Sequence, residues 1–207
     1  MKKLAALSAA AVLAVAGCSS PEPDDAPATP DAVTEAPATE APETPTASEP
    51  PTEPVDPTPA DINFAQMMVG HHEQAIILVD IAFERSSNAE LLELAEEISA
   101  AQGPEIELMR SWVIEWGYEP LEYEDHKDHE MPGMLTDEEL AEIEDAPAED
   151  FDRLWLEGMI EHHEGAILMA EDQLRDGVVP YVSELSEEII EVQDAEIEYM
   201  REMIERL

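Results

Sequence analysis

The chain has 207 residues, and 51 acidic against 9 basic side chains give it a formal charge of -42 at pH 7. Of its 17 prolines, 12 fall within residues 21–59, so the chain is not one globular body. Nucleic-acid binding is excluded, because a phosphate backbone needs clustered lysine and arginine side chains. An acidic surface attracts metal ions and other cationic partners instead.

Residues 1–17 have the pattern of a secretory signal peptide. Two lysines precede an apolar run over residues 4–15, which is too short to span a membrane as a helix. Cys18, the only cysteine, follows a small residue at the end of that run, so the segment resembles a lipobox, where bacterial lipoproteins are cleaved and acylated with palmitate or a similar chain. We therefore expect an exported protein whose lipid anchor at Cys18 holds it on the outer face of the bacterial cell membrane.

Residues 18–60 are predicted to form a disordered tether behind the lipidated cysteine. They consist mainly of Pro, Glu, Asp, Ala and Thr and cannot bury enough apolar surface to offset the entropy of ordering. In polyproline-like extension, at ~3.1 Å per residue, such a tether would reach on the order of 130 Å. The folded domain is expected over residues 61–207, and it contains no thiol, so a soft metal there must be bound by methionine and histidine.

Apolar residues at 3.6-residue spacing predict that this domain is all-α. A first helix is expected from Asp61, interpreted as its N-cap, to Arg85, and a second over residues 89–116, ended by Gly117. Pro104 lies inside the second pattern and predicts a kink or a break.

A loop over residues 117–135 is expected next, followed by a short helix that Thr136 and Glu139 open as a capping box. Two further long helices are predicted, over residues 147–175 and from Pro180 to the C-terminus.

The domain carries an internal duplication. A shift of 91 residues aligns residues 64–116 with residues 155–207 without a gap, and 17 of the 53 aligned positions are identical. Each half is a helical hairpin, so the two halves predict a ferritin-like four-helix bundle with a pseudo-twofold axis, with the long loop and short helix between them.

Each half carries the motif Met-x-x-His-His-Glu-x-Ala-Ile, at residues 68–76 and 159–167. Residues three and four positions apart share a helix face, so the methionine and both histidines border one face. The apolar stripe runs through the methionine and the second histidine, which predicts that the second histidine points inward and the first lies nearer a flank. The motif residues are Met68, His71 and His72 in one half, and Met159, His162 and His163 in the other.

The partner helices carry a second repeated pattern, Gln-x-x-Glu-x-x-x-Met, on stripes that also hold isoleucines. It directs an amide, a carboxylate and a thioether toward the same interior. The candidate metal ligands from this pattern are Glu105 and Met109 in the first half, and Glu196 and Met200 in the second.

A single buried histidine or methionine is usually a structural residue. Inward histidines, carboxylates and methionines brought together twice are costly to bury without a shared partner, so a bound cation is the favoured interpretation. A histidine–glutamate hydrogen-bond network without a metal remains open, as does simple inheritance of the spacing from a duplicated ancestor.

The remaining histidines form a third cluster in the loop. The pattern His-x-x-His-x-Met-x-x-Met packs four further candidate ligands into nine residues. Imidazole with thioether and no thiolate suits Cu(I) and Cu(II), although the surrounding acids also admit zinc or nickel. The alternative is a solvated acidic loop without a function. These candidates are His126, His129, Met131 and Met134.

The paired histidine motifs on an exported, duplicated bundle resemble a bacterial ferritin-like family of unknown function that includes CopM-type periplasmic copper-binding proteins. The resemblance covers residues 61–207. It implies copper binding or buffering outside the cytoplasm, without enzymatic activity. The ligands that it implies are Met68, His71, His72, Met159, His162 and His163, with Met109 and Met200 from the partner helices.

We therefore expect an extracytoplasmic copper-binding lipoprotein that buffers or sequesters copper or delivers it to a copper-transfer partner, with the loop over residues 126–134 as the place of uptake. One alternative is a non-catalytic surface module that binds another protein and whose histidines are structural. The other is a di-iron or di-manganese carboxylate oxidase, which needs Glu-x-x-His motifs. The residue three before each motif histidine is Met, Val or Ile, never Glu, which disfavours that alternative.

Overall fold

A computed structural model describes residues 55–126 and 131–207. The predicted signal peptide, Cys18, the tether up to residue 54 and His129 lie outside the described residues, as does the side chain of His126.

The described part of the chain is helical and contains no strand, which confirms the predicted all-α fold. Helix α1 packs against α2, α5 packs against α6, and the two hairpins meet where α1 packs against α5. No helix of the described residues is both long and apolar enough to cross a membrane. The elements are α1 (Pro59–Arg85), α2 (Ala89–Glu115), α3 (Tyr123–His126), α4 (Asp137–Glu144), α5 (Ala148–Asp176) and α6 (Pro180–Arg206).

The start of α1 differs from the prediction. Thr58 is the N-cap and Pro59 the first helical residue, so Asp61 is not the N-cap, and the helix begins two residues before the predicted domain boundary. Asp61 instead completes a capping box with Thr58. The shift follows from the preference of proline for the first helical turn, where its missing N–H costs nothing.

Asp61 also joins the beginning of α1 to the turn between α5 and α6. Its carboxylate is fully buried and accepts hydrogen bonds from the backbone N–H groups of Val178 and Val179 and from Gln173 Nε2, 3.0 Å away. Burial raises the pKa of this carboxyl, but the hydrogen bonds from Thr58, Val178 and Gln173 outweigh it and lower the pKa below its usual value.

Helix α2 is continuous through Pro104, so the predicted break is wrong. A proline at this position removes the hydrogen bond to the carbonyl of Ala100, four residues earlier. Pro104 and Ala100 are both exposed, so water can solvate that carbonyl and the helix tolerates the loss. Gly117 ends α2 as predicted, with a positive φ of 84°.

The connection between the two hairpins contains two short helices. The one-turn helix α3 was not predicted, whereas α4 is confirmed with its capping box of Thr136 and Glu139. The predicted starts and stops of the last two long helices are also confirmed: Pro147 and Gly177 flank α5, and Pro180 begins α6.

The core consists of two apolar clusters, one toward each end of the bundle. The first contains Leu91, Trp155 and Met203, and the second contains Phe64, Val113 and Val182. Along each of the four long helices, the residues of one cluster precede the histidine or glutamine motif and those of the other follow it. The motifs therefore form a polar layer across the middle of the bundle, called the polar belt below. Its members are His71, His72, Gln102, Glu105, His162, His163, Gln193 and Glu196.

Candidate metal centre

All four histidines of the polar belt are buried, with at most 1% of each exposed. The inward orientation predicted for His72 and His163 is thereby confirmed. His71 and His162, expected nearer the helix flanks, are also buried, and their rings face each other between α1 and α5 with centroids 3.9 Å apart. The two rings belong to different halves of the repeat, so this contact joins the halves.

The second histidine of each motif pairs with the glutamate of its partner helix. The Nε2 atom of His72 lies 2.8 Å from Glu105 Oε2, and the Nε2 atom of His163 lies 2.8 Å from Glu196 Oε2. A carboxylate accepts the Nε2 proton, so in the neutral imidazole the lone pair lies on Nδ1. Metal-binding histidines are commonly oriented by a carboxylate in this way.

His71 is fixed in the same tautomer by a different partner. Its Nε2 donates to the carbonyl oxygen of Pro132 at 3.0 Å, and a carbonyl can only accept, so the lone pair again lies on Nδ1. Burial and the neighbouring His72 lower the pKa of His71 to about 3. Burial and His71 likewise hold the pKa of His162 well below its usual value. Both rings are therefore neutral at physiological pH and able to bind a metal.

Buried ring nitrogens of the belt are left without partners. Among the described residues, no hydrogen bond reaches the Nδ1 atom of any of the four histidines, or Nε2 of His162. Both amide atoms of Gln102 and the amide oxygen of Gln193 are also unpaired. Buried polar groups are normally satisfied, because an unmade hydrogen bond costs about 1–3 kcal/mol. The belt thus presents several buried lone pairs that a metal ion would satisfy.

The four predicted methionine ligands are fully buried on either side of the belt. Met68 and Met109 belong to the apolar cluster that contains Phe64, and Met159 and Met200 belong to the other. Each half therefore places a pair of thioethers next to the belt, and these side chains also fill the core. Their role as ligands stays a prediction.

Histidine and acid side chains do not form a complete site by themselves. Within residues 55–126 and 131–207, no group of three His, Cys, Asp or Glu side chains lies in an arrangement that could hold a metal ion. Glu105 and Glu196 are engaged with histidines, which suits them to orient ligands, and their own ligation stays a prediction. A metal in the belt would need donors besides these side chains, and the adjacent thioethers, which favour soft ions such as Cu(I), are candidates.

Residues 131–135, called the crossing segment below, lie against the belt. The side-chain amide of Gln74 pairs with the backbone of Leu135, accepting from its N–H at 2.8 Å and donating to its carbonyl at 2.7 Å. Gly133, with a φ of 71°, touches Gly165 of α5 so closely that a Cβ on Gly165 would lie 2.0 Å from the Pro132 oxygen.

The crossing segment carries two of the four predicted loop ligands. Met131 is buried and Met134 is half-buried, so both methionine side chains are at least partly shielded from solvent; a function for them stays a prediction. Sequence reasoning missed Pro132, Gln74 and Gly165 as neighbours of the site. The one available signal was that Gln74 and Gly165 occupy equivalent positions of the repeat and differ.

Fold and belt together define an all-α protein built from a duplicated histidine hairpin. Residues 61–204 match the family model described as Domain of unknown function (DUF305), and the chain belongs to that family. No curated protein matches the chain.

Three solved structures illustrate the similarity. A DUF305 fragment from Deinococcus radiodurans is 31% identical with a TM-score of 0.66, and the match covers 74% of this chain and all of that one. A DUF305 protein from Streptomyces coelicolor, named as a secreted one, is 27% identical over 71% and 93% of the two chains, with a TM-score of 0.65. CopM in the Cu(II)-bound form is 30% identical over 70% and 96%, with a TM-score of 0.62. CopM has also been solved with Cu(I) and silver, so a bundle of this fold binds copper.

Proposed function

We propose that this protein is an extracytoplasmic copper-binding protein without enzymatic activity, and that it holds copper in the polar belt. One observation carries the proposal: the four buried histidines all leave Nδ1 unpaired, while three of them have Nε2 fixed by a carboxylate or a carbonyl. That arrangement orients an imidazole for a metal and leaves it unsatisfied without one. The copper-bound forms of CopM support the choice of metal.

His71 and His162 are the first pair of proposed ligands, because they meet across the two halves. His72 and His163 stand behind them with their glutamates. The adjacent thioethers of Met68 and Met159 would complete a mixed nitrogen and sulfur set. Such a set accommodates both Cu(I) and Cu(II) better than zinc, magnesium or calcium.

The proposed location follows from the leader and from the relatives. The lipobox-like ending at Cys18 is the basis for a lipid anchor on the outer face of the membrane, and the secreted name of the Streptomyces coelicolor relative supports export. In that position the protein would buffer or sequester copper, or pass it to a copper-transfer partner, before it enters the cytoplasm.

Metal competition on the purified protein tests the proposal. The protein is incubated with equimolar Cu, Zn, Fe and Mn, with and without reductant, then desalted, and the bound metal is counted. We expect selective retention of copper by the wild type and its loss in a His71→Gln/His162→Gln variant. The matched control is His126→Gln/His129→Gln, which makes the same chemical change in the loop and should keep the belt copper.

Two outcomes would contradict the proposal. If no metal is retained, or if copper binding survives the belt substitutions, the buried histidines are structural and a protein-binding surface module becomes the better interpretation. Thermal unfolding of the metal-free variants shows whether a lost metal reflects lost ligands or a lost fold.

A further inference from the structure

Three methionines from separate parts of the chain line one open cavity outside the polar belt. The cavity has a volume of about 330 Å³ and is formed by α1, the crossing segment and α5. Met67 comes from α1, Met131 from the crossing segment and Met169 from α5. Met131 is buried, whereas Met67 and Met169 are half-buried, so thioethers face space that solvent can enter.

Core filling does not explain this arrangement. Methionine is a common filler because its flexible side chain occupies irregular gaps, but a filler closes its gap, and these three leave a cavity. The internal repeat supplies a comparison. The positions equivalent to Met67 and Met169 in the opposite halves are Gly158 and Leu78.

Around Gly158 and Leu78, the equivalent positions of the repeat, the space is filled by aliphatic side chains. Leu78 is fully buried, and a Cβ on Gly158 would lie 2.8 Å from Ile143 Cδ1 and 3.3 Å from Leu135 Cδ1. The same fold therefore packs one of the two equivalent places with aliphatic side chains and lines the other with sulfur. The duplicated fold therefore does not by itself require methionine at these positions.

The oxygen donors of the cavity wall are partly engaged with an arginine. Asp172 and Asp176 lie at the cavity, but Arg175 pairs with both, at 2.7 and 3.2 Å. Gln173 also lines the cavity, and its buried amide oxygen has no partner among the described residues. Three thioethers from three separate parts of the chain thus line one cavity, and thioether donors select Cu(I) and similar soft ions.

We propose that Met67, Met131 and Met169 form a second metal site, open to solvent, which takes Cu(I) or another soft monovalent cation. The site stands on its own cavity and donors, and its connection to the belt rests on the proposed function. That connection is short, because Pro132, which follows Met131 and lines the same cavity, accepts the hydrogen bond of His71. The crossing segment thus lines the cavity with Met131 and contacts the buried imidazole of His71 through the next residue, Pro132.

Methionine-methyl NMR of the wild-type protein is the first test, with Ag(I) as a probe that cannot change its oxidation state. We expect Ag(I) to shift the methyl signals of Met67, Met131 and Met169 together. Methyl signals of these three that stay in place through addition of several equivalents would overturn the proposal.

Counting bound ions in variants is the second test. A Met67→Leu/Met131→Leu/Met169→Leu variant keeps the apolar volume but removes the sulfur, and it should bind one equivalent of Ag(I), and of Cu(I) under ascorbate, fewer than the wild type. The control Met203→Leu removes a buried core thioether that does not line this cavity, and it should bind as many ions as the wild type. An unchanged number of ions in the triple variant would overturn the proposal.

The two sites can fail separately. The His71→Gln/His162→Gln variant lacks the belt ligands but keeps all three cavity methionines, so it should retain the methyl shifts. If that variant loses belt copper and keeps the methyl shifts, both proposals stand. If the belt variant binds like the wild type while the methionine variant loses one ion, only the belt proposal fails.

Discussion

The contact between Gly165 and the crossing segment can be tested by adding a single carbon atom. In a Gly165→Ala variant the new Cβ would lie 2.0 Å from the oxygen of Pro132. Carbon–oxygen contacts between backbone segments are normally about 3.3 Å or longer. The neighbour is backbone rather than a flexible side chain, so the crossing segment must retreat by more than about 1 Å.

The cost of that retreat follows from the bonds that it breaks. The bond from His71 to Pro132 is 3.0 Å long and would exceed the length of a hydrogen bond, which leaves a buried N–H unpaired at a cost of about 1–3 kcal/mol. The two bonds between Gln74 and Leu135 would weaken as well, each worth about 1 kcal/mol. Alanine returns about 1 kcal/mol of helix propensity in α5. We expect a net loss of about 2–4 kcal/mol.

Thermal unfolding of the metal-free protein measures this loss. For a domain of this size, about 2–4 °C per kcal/mol gives a melting temperature lower by roughly 5–15 °C. Gly103→Ala is the control, because nothing lies within 4 Å of its added Cβ. Its gain in helix propensity is offset by the strain of a helical residue before Pro104, so we expect less than about 1 kcal/mol. A Gly165→Ala variant with the melting temperature of the wild type would refute the close docking of the crossing segment.

Three further predictions concern the belt and the helix ends. Glu105→Gln and Glu196→Gln should each weaken copper binding about 10-fold or more, because in the proposed site the glutamates would orient the ligand imidazoles. Competition with a copper chelator measures this. The stability of the metal-free protein should fall as the pH drops from 6.5 toward 3, since the unfolded chain protonates His71 before the folded protein does. Between pH 7 and 5 that histidine alone lowers the free energy of unfolding by about 2 kcal/mol. The free energy of unfolding of a His71→Gln variant, measured in urea, should therefore depend less on pH. Asp61→Asn should cost about 1.5–3 kcal/mol in urea unfolding, because bonds to a buried charge become bonds to a neutral amide.

Much of the fold could be predicted from local signals. The 3.6-residue periodicity and the duplication depend only on the sequence, and both are features of the long helices. The capping box at Thr136 and the terminating Gly117 were equally readable, because each depends on residues a few positions apart. The N-cap of α1 was missed because the change in composition near residue 61 hid the stronger local signal of Thr58 followed by Pro59.

The neighbours of His71 could not be predicted in this way. On an isolated helix His71 lies about 100° around the axis from His72, so its burial depends on what covers that flank. The crossing segment covers that flank. It is held there by Gln74, which bonds to Leu135 61 positions along the chain, and by its close contact with Gly165 of the other hairpin. Contacts between distant residues produce no periodic pattern in a single sequence. The one signal available was that Gln74 differs from Gly165, the residue at the equivalent position of the repeat.

The crossing segment also makes the two halves of the belt chemically unequal. The connection occurs only once in the duplicated domain. His71 therefore donates to the Pro132 carbonyl, while neither ring nitrogen of His162, its equivalent in the repeat, is paired within the described residues. The duplication therefore supplies a symmetric set of donors, and the single connection between the hairpins fixes the tautomer of only one of the facing pair. In the proposed site His71 would offer Nδ1 alone for as long as the crossing segment stays docked, whereas no hydrogen bond of ordinary geometry restricts His162 to one nitrogen. Displacing that segment, as Gly165→Ala should do, would remove the difference, so the effect of this one substitution on copper affinity reports directly on the asymmetry of the belt.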